Sequence, residues 1–191
     1  MHYMYVEKVF KELYKDIEVI KIEIEEYFKT KLKEDIKLNY KVIQVYEGPF
    51  FGCVDDDNNI KFNLKFISEG YGYLFNRILE INPDNPNILE CVIKILLICI
   101  LVHESHHFYY KKYKNLEYIV IKEEDDKKTH RKDKKLEVLA DDFMINFMGE
   151  KGKLHYMIAG LSEKFNQMKN DGYTKDDRIE DIVKEVRNIY T

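Results

Sequence analysis

Cysteine is scarce in this 191-residue chain, which carries only Cys53, Cys91 and Cys99. An odd number without C-x-x-C spacing indicates neither a disulfide framework nor a thiolate zinc finger, and it fits a reducing, cytoplasmic setting. Charge of one sign is lacking too. The 31 Lys and Arg stand against 35 Asp and Glu, a net charge of -4, so the basic excess of a phosphate-binding surface is missing and nucleic acid is not expected as a ligand. The longest apolar run, residues 95–102, is bracketed by Glu90, Lys94 and His103. It is far shorter than the roughly 20 residues of a membrane span, and no membrane partner is expected. Met1-His2-Tyr3-Met4 leads directly into charged helical sequence, without the basic start and apolar stretch of a signal peptide. Internal repeats and low-complexity tails are also absent.

What is present suffices for one domain, residues 1–191: a 45% hydrophobic content with 11 Phe and 15 Tyr supplies a full core. Val6, Phe10, Leu13, Ile17, Ile20, Ile24, Tyr27 and Phe28 recur every three or four residues, which predicts a long amphipathic helix over residues 3–33 with a solvated charged face. Residues 41–46 read as a short strand ended by Gly48-Pro49. Residues 50–54 and 60–67 flank Asp55-Asp56-Asp57-Asn58-Asn59. The second segment alternates Ile60, Phe62, Leu64 and Phe66 with polar residues, so the pair reads as a β-hairpin. The aspartates invite a calcium reading, but the spaced ligands and closing Glu of an EF-hand loop are missing, and a turn is favoured.

Gly70-Tyr71-Gly72 closes the strand region, and residues 73–81 form a short helix. After a loop over residues 82–87, Asn87 as N-cap with Glu90 three positions on opens a helix to about Tyr113. Its apolar stretch makes it the buried central helix. Residues 114–135 are charge-rich; the apolar patch 118–121 reads as a strand or as a cover over the site, and the charge run after it reads as a mobile solvated loop. Periodicity returns over residues 134–148, where Leu136, Ala140, Phe143 and Phe147 make one stripe ended by Gly149. Further helices are expected over residues 153–170 and, capped by Thr174 with Asp177, to about Tyr190.

The central helix ends in His103-Glu104-Ser105-His106-His107, a match to H-E-x-x-H. On a helix His103 and His107 stand one turn apart on one face, the geometry of a metal clamp, with Glu104 beside them to take a proton from an attacking water. Burying two His and a Glu without partners costs a few kcal/mol each, so a core without a function rarely holds them. A zinc site of this kind needs a third protein ligand and an open position. Glu137 is the candidate, in Glu137-Val138-Leu139-Ala140-Asp141. Glu137 and Asp141 share a face, the small Ala140 lets the two helices approach, and Asp141 can accept from the second nitrogen of a liganding His, fixing its tautomer. His106, about 100° around the helix from His107, is assigned to support of the liganding residues or to packing rather than to ligation. His130 and His2 are expected to be solvated.

H-E-x-x-H followed by E-x-x-A-D resembles the gluzincin metallopeptidases. With Phe143 the second segment is similar to the E-x-x-A-[ND]-x-F pattern of the ImmA/IrrE-type proteases, and the resemblance extends to the Lit-type phage-exclusion peptidases, over roughly residues 40–150. It implies an α+β, zincin-like helical domain with a small antiparallel β-sheet and a buried active-site helix. It also implies Zn²⁺ held by His103, His107 and Glu137, Glu104 as general base, and a protein or peptide substrate. His106 stands where those families carry a small residue, which predicts altered packing at that point. Extended substrate would pair with the edge of strand 60–67, and an oxyanion donor would come from His155, Tyr156, Tyr109 or Tyr110. The rival from another class is a noncatalytic module whose zinc is structural or regulatory; metal-assisted hydrolysis of a non-peptide bond is a third reading.

Overall fold

The computed structural model describes residues 2–114, 126–149, 151–152 and 177–190. Helix α1 (His2–Tyr27) buries Val6, Val9, Phe10, Leu13, Ile17, Ile20 and Ile24, the stripe that the apolar spacing predicts. A π-helical turn, Phe28–Leu32, extends it, and Lys33 closes the turn in the left-handed region at φ 61°. One charged side chain leaves the expected solvated face: Lys21 is buried. Its Nζ donates to Glu18 Oε1 at 2.7 Å and to the Tyr40 carbonyl at 2.7 Å. These bonds replace lost hydration and tie the segment before the sheet to α1.

The sheet has three strands, β1 (Val42–Val45), β2 (Gly52–Val54) and β3 (Ile60–Asn63), in the order β1-β3-β2. It is mixed rather than antiparallel: β3 pairs antiparallel with β2 but parallel with β1. The reason lies between β1 and β2, where the chain passes across the end of β3. Asn63 Nδ2 donates to Gly48 O at 2.8 Å, and Asn63 N to Phe51 O at 3.1 Å, so β3 inserts between the two earlier strands. The hairpin turn is built as expected: Asp55 Oδ1 accepts from Asn59 N at 2.8 Å, and Asn58 takes φ 61°. Lys111 Nζ donates to Asp55 O at 2.6 Å, placing an ammonium against the turn and weighing against a cation there.

Strand 60–67 is shorter than expected. It stops at Asn63, whose Oδ1 accepts from Phe66 N at 3.0 Å and so caps helix α2 (Leu64–Gly70). Leu64, Ile67 and Tyr71 are then buried at helical spacing, which the two-residue alternation does not anticipate. Gly70 therefore ends a helix, not a strand, and α3 (Gly72–Ile81) follows directly.

Helix α4 (Asn87–Tyr113) is the buried central element. Pro86 takes the N-cap position and Asn87 makes no side-chain cap, a correction of one residue that fits proline's fixed φ at a helix start. From Ile95 to Val102 every side chain except the partly exposed Ile98 is buried. Helix α5 (Asp126–Met148) begins before residue 134, because a run of charged residues, though it supplies no apolar stripe, includes good helix formers. It ends where Gly149 takes φ 59°. Phe28 joins the two helices, 4.6 Å from Phe143 and 4.7 Å from Tyr109 between ring centroids. Helix α6 (Asp177–Tyr190) covers the core with Ile182, Val183 and Val186. The helix expected over residues 153–170, the 118–121 patch and the Thr174 cap lie outside the described residues. The architecture is α+β and mostly helical, and among the described residues no helix is long and apolar enough to cross a membrane.

Candidate metal centre

Helix α4 presents two adjacent faces, one residue apart. His103 and His107 turn toward α5, while Ile100 and Glu104 turn toward β2, as four-residue spacing on a helix requires. Ser105 behind them is fixed: its hydroxyl donates to Leu101 O at 2.7 Å and accepts from the Tyr40 hydroxyl at 2.8 Å. The motif is therefore held from the α1 side by a buried pair of hydrogen bonds.

The third residue comes from α5. Glu137 Oε2 lies 3.1 Å from His103 Nε2 and Oε1 lies 3.2 Å from His107 Nε2. The two Nε2 atoms are 2.8 Å apart, and the three donor atoms fall within 4.8 Å of one another, close enough to hold a metal ion. Asp141, one turn beyond Glu137, sets the tautomer: its Oδ1 is 3.0 Å from His103 Nδ1. With the Nδ1 proton directed at Asp141, neutral His103 carries its lone pair on Nε2 and aims it at Glu137 and His107. Acceptors converging so closely require a proton or a cation between them, and in this respect the donor set fits a metal.

The charges follow from the same contacts. Burial pushes the His103 pKa down, but the Asp141 and Glu137 carboxylates outweigh it and hold it up at about 10. Hydrogen bonds from His103 and His107 hold the Glu137 carboxyl well below the usual carboxylate range. Glu104 is buried, and burial raises its pKa against the opposing pull of His107 and His103. Glu137 remains about half exposed, at 53% of its side chain, so the cluster opens to solvent on the α5 side.

Of the remaining expectations, His106 is a packing residue. It is buried, with ring centroids 4.8 Å from Tyr110 and 4.9 Å from Phe143, and its Nδ1 has no hydrogen-bond partner among the described residues. His2 is partly exposed rather than fully solvated: its Nε2 lies 2.8 Å from Asn76 Oδ1 and its ring rests on Phe75. Tyr109 is buried, and its hydroxyl is engaged by Lys114 and Glu34, which removes it as an oxyanion donor. Tyr110 is partly exposed one turn beyond His107. His155, Tyr156 and the side chain of His130 lie outside the described residues.

Two features were not anticipated. Strand 60–67 cannot offer an edge, because β3 is the central strand; β2 is the edge strand beside α4. Phe51 O and Asp55 N bond toward β3, so by the two-residue period of an antiparallel ladder Gly52 and Val54 turn their backbone polar groups to the outer edge. Cys53 sits between them, its thiol pushed up to about 11 by burial and then by the Glu104 carboxylate. The Gly52 backbone also comes close to Ile100 and Glu104 of α4, and a glycine inside a strand pattern is the signal that marks such an approach. Compared with models of known families, with curated proteins and with solved structures, the chain matches none.

Proposed function

We propose that the chain is a zinc-dependent metallopeptidase, an endopeptidase cleaving a peptide bond in a protein substrate. The observation that carries this reading is the convergence of His103, His107 and Glu137 within 4.8 Å, with Glu104 buried beside them. Three donors with an open side suit a catalytic zinc better than a structural one, which is commonly enclosed by four protein ligands. When bound, zinc supplies Lewis acidity that polarises a scissile carbonyl and eases deprotonation of water.

The chain's own residues do the rest. His103, His107 and Glu137 hold the cation, and Asp141 orients the His103 ring and raises its basicity. Glu104 accepts the proton of the attacking water and returns it to the leaving amine; its raised pKa favours the first half of that exchange. The outer edge of β2 offers backbone groups at Gly52 and Val54 to an extended peptide, which replaces strand 60–67 as the pairing surface.

The test is metal analysis combined with Glu104→Gln. The purified protein should hold about one zinc per chain, and Glu104→Gln should retain that zinc while losing hydrolysis of denatured protein substrates by about 10²–10⁴-fold. Zinc present without hydrolysis in the unsubstituted protein supports the noncatalytic module instead, and zinc absent sinks both readings.

A further inference from the structure

The contact between β2 and α4 contains an unusual close approach. A Cβ placed on Gly52 would lie 2.6 Å from Ile100 Cγ2, 3.0 Å from Glu104 Cγ and 3.4 Å from Glu104 Oε1. All three lie on the α4 face that turns to the sheet. Any larger residue must displace either the strand or the Glu104 side chain. The strand has little room to yield: Gly52 pairs with Phe62, which is buried, and the flanking Phe51 and Asp55 are bonded to β3 and its turn.

The same face relationship explains why this matters for chemistry. Glu104 stands about 100° around α4 from His103, so it needs a wall on the sheet side to keep its carboxylate beside the histidine pair. The Gly52 backbone is that wall. It also carries the outward-turned polar groups of the edge strand, so one residue borders both the base and the surface on which a peptide would lie.

We propose that Gly52 is a positioning residue for Glu104: the missing side chain on edge strand β2 leaves the slot in which the Glu104 side chain is held beside His103 and His107. This inference rests on the metal site proposed above. The missing side chain of Gly52 acts through Glu104, while its backbone groups face the outer edge of β2 and are kept in Gly52→Ala.

The test uses acetohydroxamate binding to zinc-loaded protein, followed by calorimetry. A hydroxamate held by the cation presents an O–H to the neighbouring base, so its affinity reports where that carboxylate stands. The reference protein carries Ile100→Leu, which removes the nearest clashing methyl at nearly constant volume. In that background Gly52→Ala is expected to keep zinc at the same stoichiometry and to weaken acetohydroxamate about tenfold or more, the scale of one hydrogen bond to a charged group. Glu104→Ala should weaken it similarly, and adding Gly52→Ala to Glu104→Ala should change little further, because the two act through one contact.

Equal affinity in Gly52→Ala and its reference overturns the proposal. So does a Gly52→Ala loss that persists undiminished without the Glu104 side chain, which identifies strand damage. Should Gly52→Ala prevent folding, the double variant decides: folding restored by Glu104→Ala supports the slot, and failure to fold in both backgrounds refutes it. Failure of the reference protein to bind zinc removes the metal site itself and this inference with it, whereas intact zinc binding with an unmoved hydroxamate affinity removes only the role of Gly52.

Discussion

Asp141 Oδ1 lies 3.0 Å from His103 Nδ1, and Glu137, one turn earlier on the same helix, lies 3.1 Å from the other nitrogen of that ring. The imidazole is thus gripped at both nitrogens by α5, which fixes the orientation of the ring. Removing Asp141 should weaken zinc without removing a donor. We expect Asp141→Ala to lower zinc affinity by about 10–100-fold, and Asp141→Asn by less, since an amide oxygen still accepts from Nδ1. Competition with a chromophoric chelator measures this, and affinities equal to the unsubstituted protein would remove Asp141 from the site.

His106 offers a contrast on the neighbouring face. Its ring fills the space between Phe143 and Tyr110 while its Nδ1 has no hydrogen-bond partner among the described residues, so shape rather than polarity keeps it there. His106→Phe should retain zinc and melt within a few degrees of the unsubstituted protein, while His106→Ala should cost about 2–4 kcal/mol through the cavity it leaves between α4 and α5. Loss of zinc in His106→Phe would make His106 a ligand after all.

Asn63 serves two structures at once, with Oδ1 capping α2 and Nδ2 holding Gly48 O. Asn63→Asp keeps the cap and discards the amide donor; Asn63→Ala loses both. Chemical denaturation should rank them, with the alanine variant lower in stability by about 0.5–2 kcal/mol, the usual worth of a cap. Equal stabilities would show that the cap contributes nothing.

The turn at Asp55 carries a pH signature. Burial raises the Asp55 pKa, but the Asn59 backbone and Lys61 outweigh it and hold the carboxyl below its ordinary range. A depressed folded pKa contributes stability above the unfolded value, near 3.9, and loses it as pH falls through the folded value. The melting temperature of Asp55→Asn should therefore lie below that of the unsubstituted protein at neutral pH, and the gap should close below about pH 4. A gap independent of pH would refute this origin.

Periodicity alone made much of the molecule legible. The α1 stripe, the apolar heart of α4 and the buried Ala140 and Phe143 of α5 are all visible from spacing, because a helix repeats its face every 3.6 residues whatever it packs against. His103 and His107 as a pair, Glu137 as the third donor and Asp141 behind His103 could likewise be read from four-residue spacings, since each pair lies on one helix. Strand pairing could not be. Leu64 fits a two-residue alternation as well as a helical one, and only the Asn63 side chain bonding back to Phe66 N chose the helix.

Tertiary structure alone decided what stands between the elements. That β3 runs parallel to β1 and is flanked by β2 depends on a crossing held through Asn63, Gly48 and Phe51, a long-range arrangement with no local period. That Glu137 reaches both imidazoles depends on Phe28 packing between Phe143 and Tyr109, three residues from separate parts of the chain. That Gly52 lies on Glu104 depends on two elements meeting face to face. Local spacing determines which side chains a single helix brings together, whereas the distance between two helices, or between a helix and a strand, is set by the volumes packed between them.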